Sequence, residues 1–348
     1  MNKAKIVSVY SISHFFTDFV CAIFMLGIIS SLCVNYTQLF YCLIIYNFFA
    51  FAFQAPLGLL LDKYKSYNYI ALLGNLLILL AFLIVPRNPF ILSTIVGLGN
   101  ALFHLEGGVH IYNISDKKAY LNGMFVAPGA LGILFGTLLS HTSYNVHNIA
   151  IISIIISILL LVLIRNKNAE IKNAAINRLN KNTIIPIILL IGVSIIIRQL
   201  AGSLITYEWK SIQAFLVFYT ICISIGKFLG GILADKVGFL KTATISLLLS
   251  IFLILLGSNH FLIGSLGILL FNIPMAITLT LLENTLYNNR ALAVGLNTMF
   301  LLLGLLITII KFPISNYLLI VISITIAILS IYLAIKLYNS KKLYKEDI

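Results

Sequence analysis

Charge is what this sequence has least of. Only 9% of its residues are Asp, Glu, Lys or Arg, against about 25% in a soluble domain. With 61% of the chain hydrophobic, there is too little polar surface to cover a core in water. A soluble globular protein is therefore excluded, and a bilayer is the natural solvent. The four cysteines, Cys21, Cys33, Cys42 and Cys222, lie in or near apolar runs with no paired spacing. They read as small core residues, without a disulfide or metal framework. No zinc-protease H-E-x-x-H spacing and no nucleophile–base set occurs, which argues against an enzyme. Long polar stretches are missing too. Twelve membrane helices of about 20 residues would use roughly 240 positions and leave no room for a soluble domain. The first apolar run is too long for a cleaved signal peptide and lacks a small-residue cleavage site, so it is expected to stay as a helix.

What is present is a series of twelve apolar runs, near 7–31, 37–61, 69–86, 90–113, 120–140, 148–164, 183–205, 212–234, 240–257, 260–282, 291–310 and 316–336. The longest polar break, "RNKNAEIKNAAINRLNKN" at 165–182, divides them into two sets of six. The expected organisation is an N-terminal six-helix bundle at 1–164, a linker at 165–182 and a C-terminal bundle at 183–348. The net charge of +13 takes its meaning from placement. With a cytoplasmic N-terminus, eighteen of the 23 Lys and Arg fall on the cytoplasmic side and three (Arg87, Lys210, Lys311) on the other. That bias predicts both termini cytoplasmic. The basic linker then lies along an anionic leaflet, with no nucleic-acid partner.

The halves repeat. "GLLLDKYKSY" follows run two and "GILADKVGFLK" follows run eight, with Asp62 and Asp235 173 residues apart. Asn100 and Asn272, Gly123 and Gly295, and Gly132 and Gly304 are each 172 apart. A 6+6 repeat in a twelve-span chain is a transporter plan, with the substrate site near the midplane between the halves.

This pattern resembles the major facilitator superfamily. Its loop signature after span two is matched by Gly231, Asp235, Lys236, Gly238 and Lys241, and in part by Gly58, Asp62 and Lys63. The stretches "SHFFTDF", "GNALFHLEGG", "GMFVAPGALGILFGTLL", "IIIRQLAG" and "LFNIPMAITL" resemble its fosmidomycin-resistance-like branch. Leu105 stands where that branch has proline after Phe103-His104. The resemblance implies an all-α integral membrane fold of two pseudo-symmetric six-helix bundles. It also implies a monomeric, proton-coupled exporter of small molecules in a prokaryotic inner membrane, without cofactor or metal. The loop aspartates Asp62 and Asp235 would brace the cytoplasmic ends of the bundles against each other. Charge-assisted bonds to helix N-termini made in one packing and lost in the other give that brace its physical basis.

A buried ionisable group in a membrane is costly, which makes each one a functional candidate. The candidates are His14, Asp18, His104, Glu106, His110, Arg198 and Lys227. His14 and Asp18 share one helix face with Ser11. Glu106 and His110 lie about 40° apart on their helix, and His104 about 160° from Glu106, so these three cannot hold one metal ion. Asn100 shares the His104 face. The expected proton site is Asp18, near the middle of its run, with Glu106 and His14, which lie at one depth somewhat cytoplasmic of the midplane. Arg198 is expected to grip an anionic substrate, neutralise Asp18 or make a structural ion pair. Lys227 is expected to snorkel to the cytoplasmic surface. Uptake of a small organic anion is the alternative to export, and a non-transporting receptor or scaffold is the alternative to transport. The glycines of run five, Gly123, Gly129, Gly132 and Gly136, resemble an exporter motif, although Pro128 precedes Gly129 instead of following a glycine.

Overall fold

The computed structural model describes residues 3–65, 67–84, 88–142, 146–164, 180–310 and 312–343. Among the described residues, ten helices are long and apolar enough to cross a bilayer, and two shorter apolar helices complete a set of twelve. We number them in chain order. In the first half they are α1 Lys3–Leu32, α2 Tyr36–Tyr64, α3 Ile70–Ala81, α4 Pro89–Ser115, α5 Tyr120–Ser140 and α6 Val146–Val162. In the second they are α7 Asn182–Leu204, α8 Gln213–Val237, α9 Phe239–Leu256, α10 Phe261–Thr285, α11 Arg290–Ile307 and α12 Asn316–Ser340. Each matches one apolar run. The 165–182 linker lies almost wholly outside the described residues, as do Arg87 and Lys311 of the charge count.

Local chemistry sets several helix ends. Asn35 accepts from Gln38 N at the start of α2, and Asn88 accepts from Phe90 N and Ile91 N at the start of α4. Both are N-caps of the usual kind. Pro274 interrupts α10 midway, because it has no N–H to donate and blocks the preceding turn. Wide π turns occupy Phe24–Ile29 in α1 and Phe48–Ala52 in α2, a device that often marks functional sites.

Packing differs between the two ends of the molecule. On the side that carries the chain termini, one hydrophobic cluster joins Tyr10, Phe103 and Phe125 of the first half to Leu279, Ala291 and Val294 of the second. A second cluster there adds Ala119 to second-half residues. On the opposite side the cores are separate. One, around Phe24, Ile29 and Phe82, is all first half, and the other, around Ile205, Tyr219 and Ile324, is all second half. The halves are thus closed together at the terminal side and parted at the other. Leu159, Leu249, Phe252 and Leu329 on α6, α9 and α12 are exposed. Such apolar side chains are stable facing lipid. The chain is a multi-pass membrane protein.

Candidate functional site

A cavity of about 510 Å³ lies between the halves. It is lined by α1, α2, α4 and α5 from one half and by α7, α8, α10 and α11 from the other. The lining runs from His14 to Leu26 on α1 and from Val294 to Leu305 on α11. It therefore extends from mid-height toward the side away from the termini. Both π turns border it through Met25, Leu26 and Phe51, and the break in α10 borders it through Asn272 and Met275. Six amide side chains reach it: Asn47, Gln54, Asn100, Gln199, Asn272 and Asn297. Four of them spend a donor inside the protein, Asn47 on the Leu43 carbonyl, Gln54 on that of Ala50, Asn272 on that of Ile268 and Asn100 on Asp18. Most of the wall is apolar. The cavity suits a solute with apolar surface and a few hydrogen-bonding groups.

At the floor, His14 and Asp18 from α1 meet His104 from α4. His14 Nε2 is 3.1 Å from Asp18 Oδ2 and 2.9 Å from His104 Nε2. Asn100 Nδ2 donates to Asp18 Oδ1 at 3.2 Å. Gly129 on α5 makes the room, because a Cβ there would collide with His14 Nε2 and Asp18 Oδ2. Four of the expected residues therefore converge: His14, Asp18, Asn100 and His104. Asn272 joins the same cavity from the other half.

Four expectations are corrected. Glu106 does not reach the cavity or Asp18. Its carboxylate accepts from Tyr10 OH at 2.7 Å and from Ala71 N at 2.7 Å, at the N-terminus of α3. Glu106 thus ties three helices together, with the phenol and the helix end offering it donors. His110, expected in the cavity as well, does not line it and sits beside Glu106, 3.8 Å away and stacked on Tyr10. Arg198 is buried behind the wall, where its guanidinium donates to Thr278 Oγ1 at 3.2 Å. It does not line the cavity. Lys227 does line it, instead of snorkelling to the surface. The helical geometry that bars a metal ion on α4, where His104 and Glu106 point apart, concerns one helix. The trio of His14, Asp18 and His104 spans two helices and escapes that test.

The terminal side is closed by two matching seams. Asp62, at the end of α2, accepts from Ala291 N at 3.1 Å and Leu292 N at 2.8 Å, at the start of α11. Asp235, at the end of α8, accepts from Ala119 N at 2.8 Å and Tyr120 N at 2.9 Å, at the start of α5. The partners are themselves 172 residues apart. Tyr67 OH also donates to Asp62, at 2.8 Å. Burial, and then the carboxylate beside it, push this phenol above its ordinary range, so it stays a donor. Gly58 lies against the Ala291 carbonyl and Gly231 against that of Ala119, each so close that a Cβ would not fit. Lys63 points at the ring of Tyr64 and Lys236 is exposed, so neither enters a seam. Gly238, with φ 100°, ends α8 in a conformation that favours glycine.

Between the seams lies a buried polar layer that sequence reading missed. Tyr112 OH donates to Asn284 Oδ1 at 2.6 Å, and Arg290 donates to Asn113 Oδ1. Asn122 Nδ2 donates to Glu283 Oε2 at 2.5 Å and to Thr280 Oγ1 at 2.9 Å. Glu283 is fully buried. It was overlooked because the apolar run was ended at 282, whereas α10 continues to Thr285.

Comparison with known proteins places this geometry in a class. No protein-family model matches the chain, and no curated protein matches it. Solved structures do. The crystal structure of a Major Facilitator Superfamily transporter, FucP, in the outward conformation superposes with a TM-score of 0.71. It covers 96% of this chain and 98% of its own at 14% identity. A variant of the E. coli fucose:proton symporter FucP gives 0.70 at 13% identity, over 95% of this chain and 98% of its own. The chain has the major facilitator fold.

Proposed function

We propose that the chain is a secondary active transporter that moves a small, hydrogen-bonding solute across a prokaryotic inner membrane by alternating access. Two six-helix units, 1–164 and 183–348, would rock about the cavity, with 165–182 as the cytoplasmic linker and both termini cytoplasmic. The chain would work as a monomer. One observation carries this reading: a largely apolar cavity with amide and charged groups set in its wall, lying between the halves and sealed at one end by two symmetry-matched carboxylate seams. Those seams are reversible by construction, because their bonds run from side chains to helix N-termini and need no core to unfold. The motifs that resemble the fosmidomycin-resistance-like branch supply the cavity floor, His14, Asp18 and His104.

Proton coupling fits the buried layer. Glu283 Oε1 and Asn122 Oδ1 are both buried acceptors without a partner. One proton on Glu283 supplies the missing hydrogen and turns the contact into a two-point acid–amide pair across the halves. Arg290 on α11 is engaged by Asn113, the Tyr287 carbonyl and the ring of Tyr287. Opening the terminal side would hydrate Glu283 and release its proton to the cytoplasm. That inward proton movement drives export by exchange or uptake by symport, as for the fucose:proton symporter. Export drew support from the glycines of α5, but Gly132 and Gly136 pack against the α1 backbone at Phe15 and Phe19. Their role here is close packing, which says nothing of direction.

The test is proteoliposomes with an internal pH dye and an imposed proton gradient. A panel of small carboxylates, sugars and phosphonates is added to wild type and to Glu283→Gln. A solute-triggered proton flux that Glu283→Gln loses supports the reading, and its sign gives the direction. Equal flux in both removes Glu283 from coupling. A receptor or scaffold would show no flux and would keep its partner in both.

A further inference from the structure

The floor of the cavity gathers more lone pairs than hydrogens. His14 Nδ1 lies 2.7 Å from the Phe125 carbonyl and His104 Nδ1 2.9 Å from the Asn100 carbonyl. A carbonyl only accepts, so each Nδ1 carries the ring hydrogen, and in each neutral ring Nε2 is a bare lone pair. Those two lone pairs face each other at 2.9 Å. Asp18 adds its oxygens at 3.1 Å from His14 Nε2 and 3.7 Å from His104 Nε2. One ligand atom from each residue fits within 4.8 Å of the others.

We propose that His14, Asp18 and His104 bind one divalent transition-metal cation of the Zn²⁺ class. Ligands about 2.0–2.1 Å from such an ion stand about 2.9–3.4 Å apart in octahedral or tetrahedral geometry, which brackets the closer two separations. The outer contacts are those a metal site uses: each imidazole is oriented by a backbone carbonyl, and the carboxylate is held by Asn100. Two imidazoles and one carboxylate select first-row transition metals over Ca²⁺ and Mg²⁺, which take oxygen ligands. Gly129 keeps the space beside Asp18 and His14 open. Three protein ligands leave a coordination position facing the cavity. Lys227 on α8 lines the same cavity and offers a counter-charge to an anionic group placed there.

This site rests on the cavity geometry alone, and binding is measured without any flux. The experiment takes the full chain in detergent, with any affinity tag removed and metal stripped by a chelator. Zn²⁺ is added in a calorimeter and in thermal melts, and Co²⁺ is followed by its visible absorption. The expected result is one Zn²⁺ per chain, a Co²⁺ spectrum of nitrogen and oxygen ligands, and a Zn²⁺-dependent rise in Tm. His14→Ala, Asp18→Asn and His104→Ala should each weaken binding about 100-fold or more. Asp18→Glu, which retains a carboxylate, should recover part of the affinity and guards against misfolding as the cause. The double variant His141→Ala/His260→Ala, remote from the cavity floor, should bind as wild type. No Zn²⁺ binding by wild type would overturn the proposal. So would binding that survives loss of both His14 and His104, or displacement of Zn²⁺ by equimolar Ca²⁺.

Discussion

Tyr10 shows how a single hydroxyl holds this bundle. Its OH donates to Glu106, a carboxylate only 7% exposed that also takes the Ala71 N–H. Tyr10→Phe removes a donor and leaves a buried acceptor short, at a cost of about 1–3 kcal/mol. The expected outcome is a lower Tm with transport per folded molecule unchanged. A variant that melts like wild type would mean Glu106 finds another donor. The seam aspartates act differently. An amide at 62 or 235 keeps one acceptor but turns an N–H toward a backbone N–H. Asp62→Asn, at a buried carboxylate, should therefore weaken closure by about 1.5–3 kcal/mol, a shift of roughly tenfold or more in the balance of states, and Asp235→Asn, at an exposed one, should weaken it by less. Spin-label distances across the terminal side should lengthen in a larger fraction of molecules.

At the scale of elements, closeness at the seams depends on glycine. Gly231 leaves no space between α8 and the start of α5, where a Cβ would fall 2.7 Å from Tyr120 Cα. Gly231→Val should part these helices and favour the terminal-side-open state, and Gly58→Val should do the same at α2 and α11. An unchanged distance distribution in both would deny the seams their role. These seams were legible in the sequence. The repeat of Gly58, Asp62 and Gly231, Asp235 at one offset showed two equivalent helix ends, and helix-dipole chemistry supplied their partners' type. The twelve helices were equally legible, since a long apolar run has few other folds in lipid. Which face of a helix meets which neighbour was not. Glu106 and His14 lie near one depth, but α4 turns Glu106 toward Tyr10 and α3 while it turns His104 toward the cavity. Helical periodicity separated those two faces correctly and said nothing of what each would meet. Lys227 and Arg198 were exchanged for the same reason: depth along a helix follows from sequence, whereas rotation about its axis follows from packing.

At the scale of the whole molecule, the asymmetry of packing is the central finding. Two cores are shared between the halves at the terminal side, and two are private at the other. A cavity between units packed this way has one entrance. Moving the entrance requires the shared contacts to be given up and new ones made at Leu26, Leu43, Thr137 and Leu305, which now line the mouth. On the alternating-access proposal the molecule exchanges between two states, and whatever binds them unequally shifts the balance. The seams, the Asn122–Glu283 pair and the cavity floor are the places where unequal binding can act.

The most direct measurement of this claim is sided labelling of one cavity position. Ile133→Cys, placed in a background without Cys21, Cys33, Cys42 and Cys222, sits on the α5 wall of the cavity. In oriented membrane vesicles it is treated with a thiol reagent that cannot cross the bilayer, added to one face at a time. The account predicts labelling from the face opposite the termini, and labelling from the terminal face as well once Asp62→Asn and Asp235→Asn are introduced. Labelling from the terminal face in the unaltered seams, or labelling that stays on one face after both are cut, would contradict it.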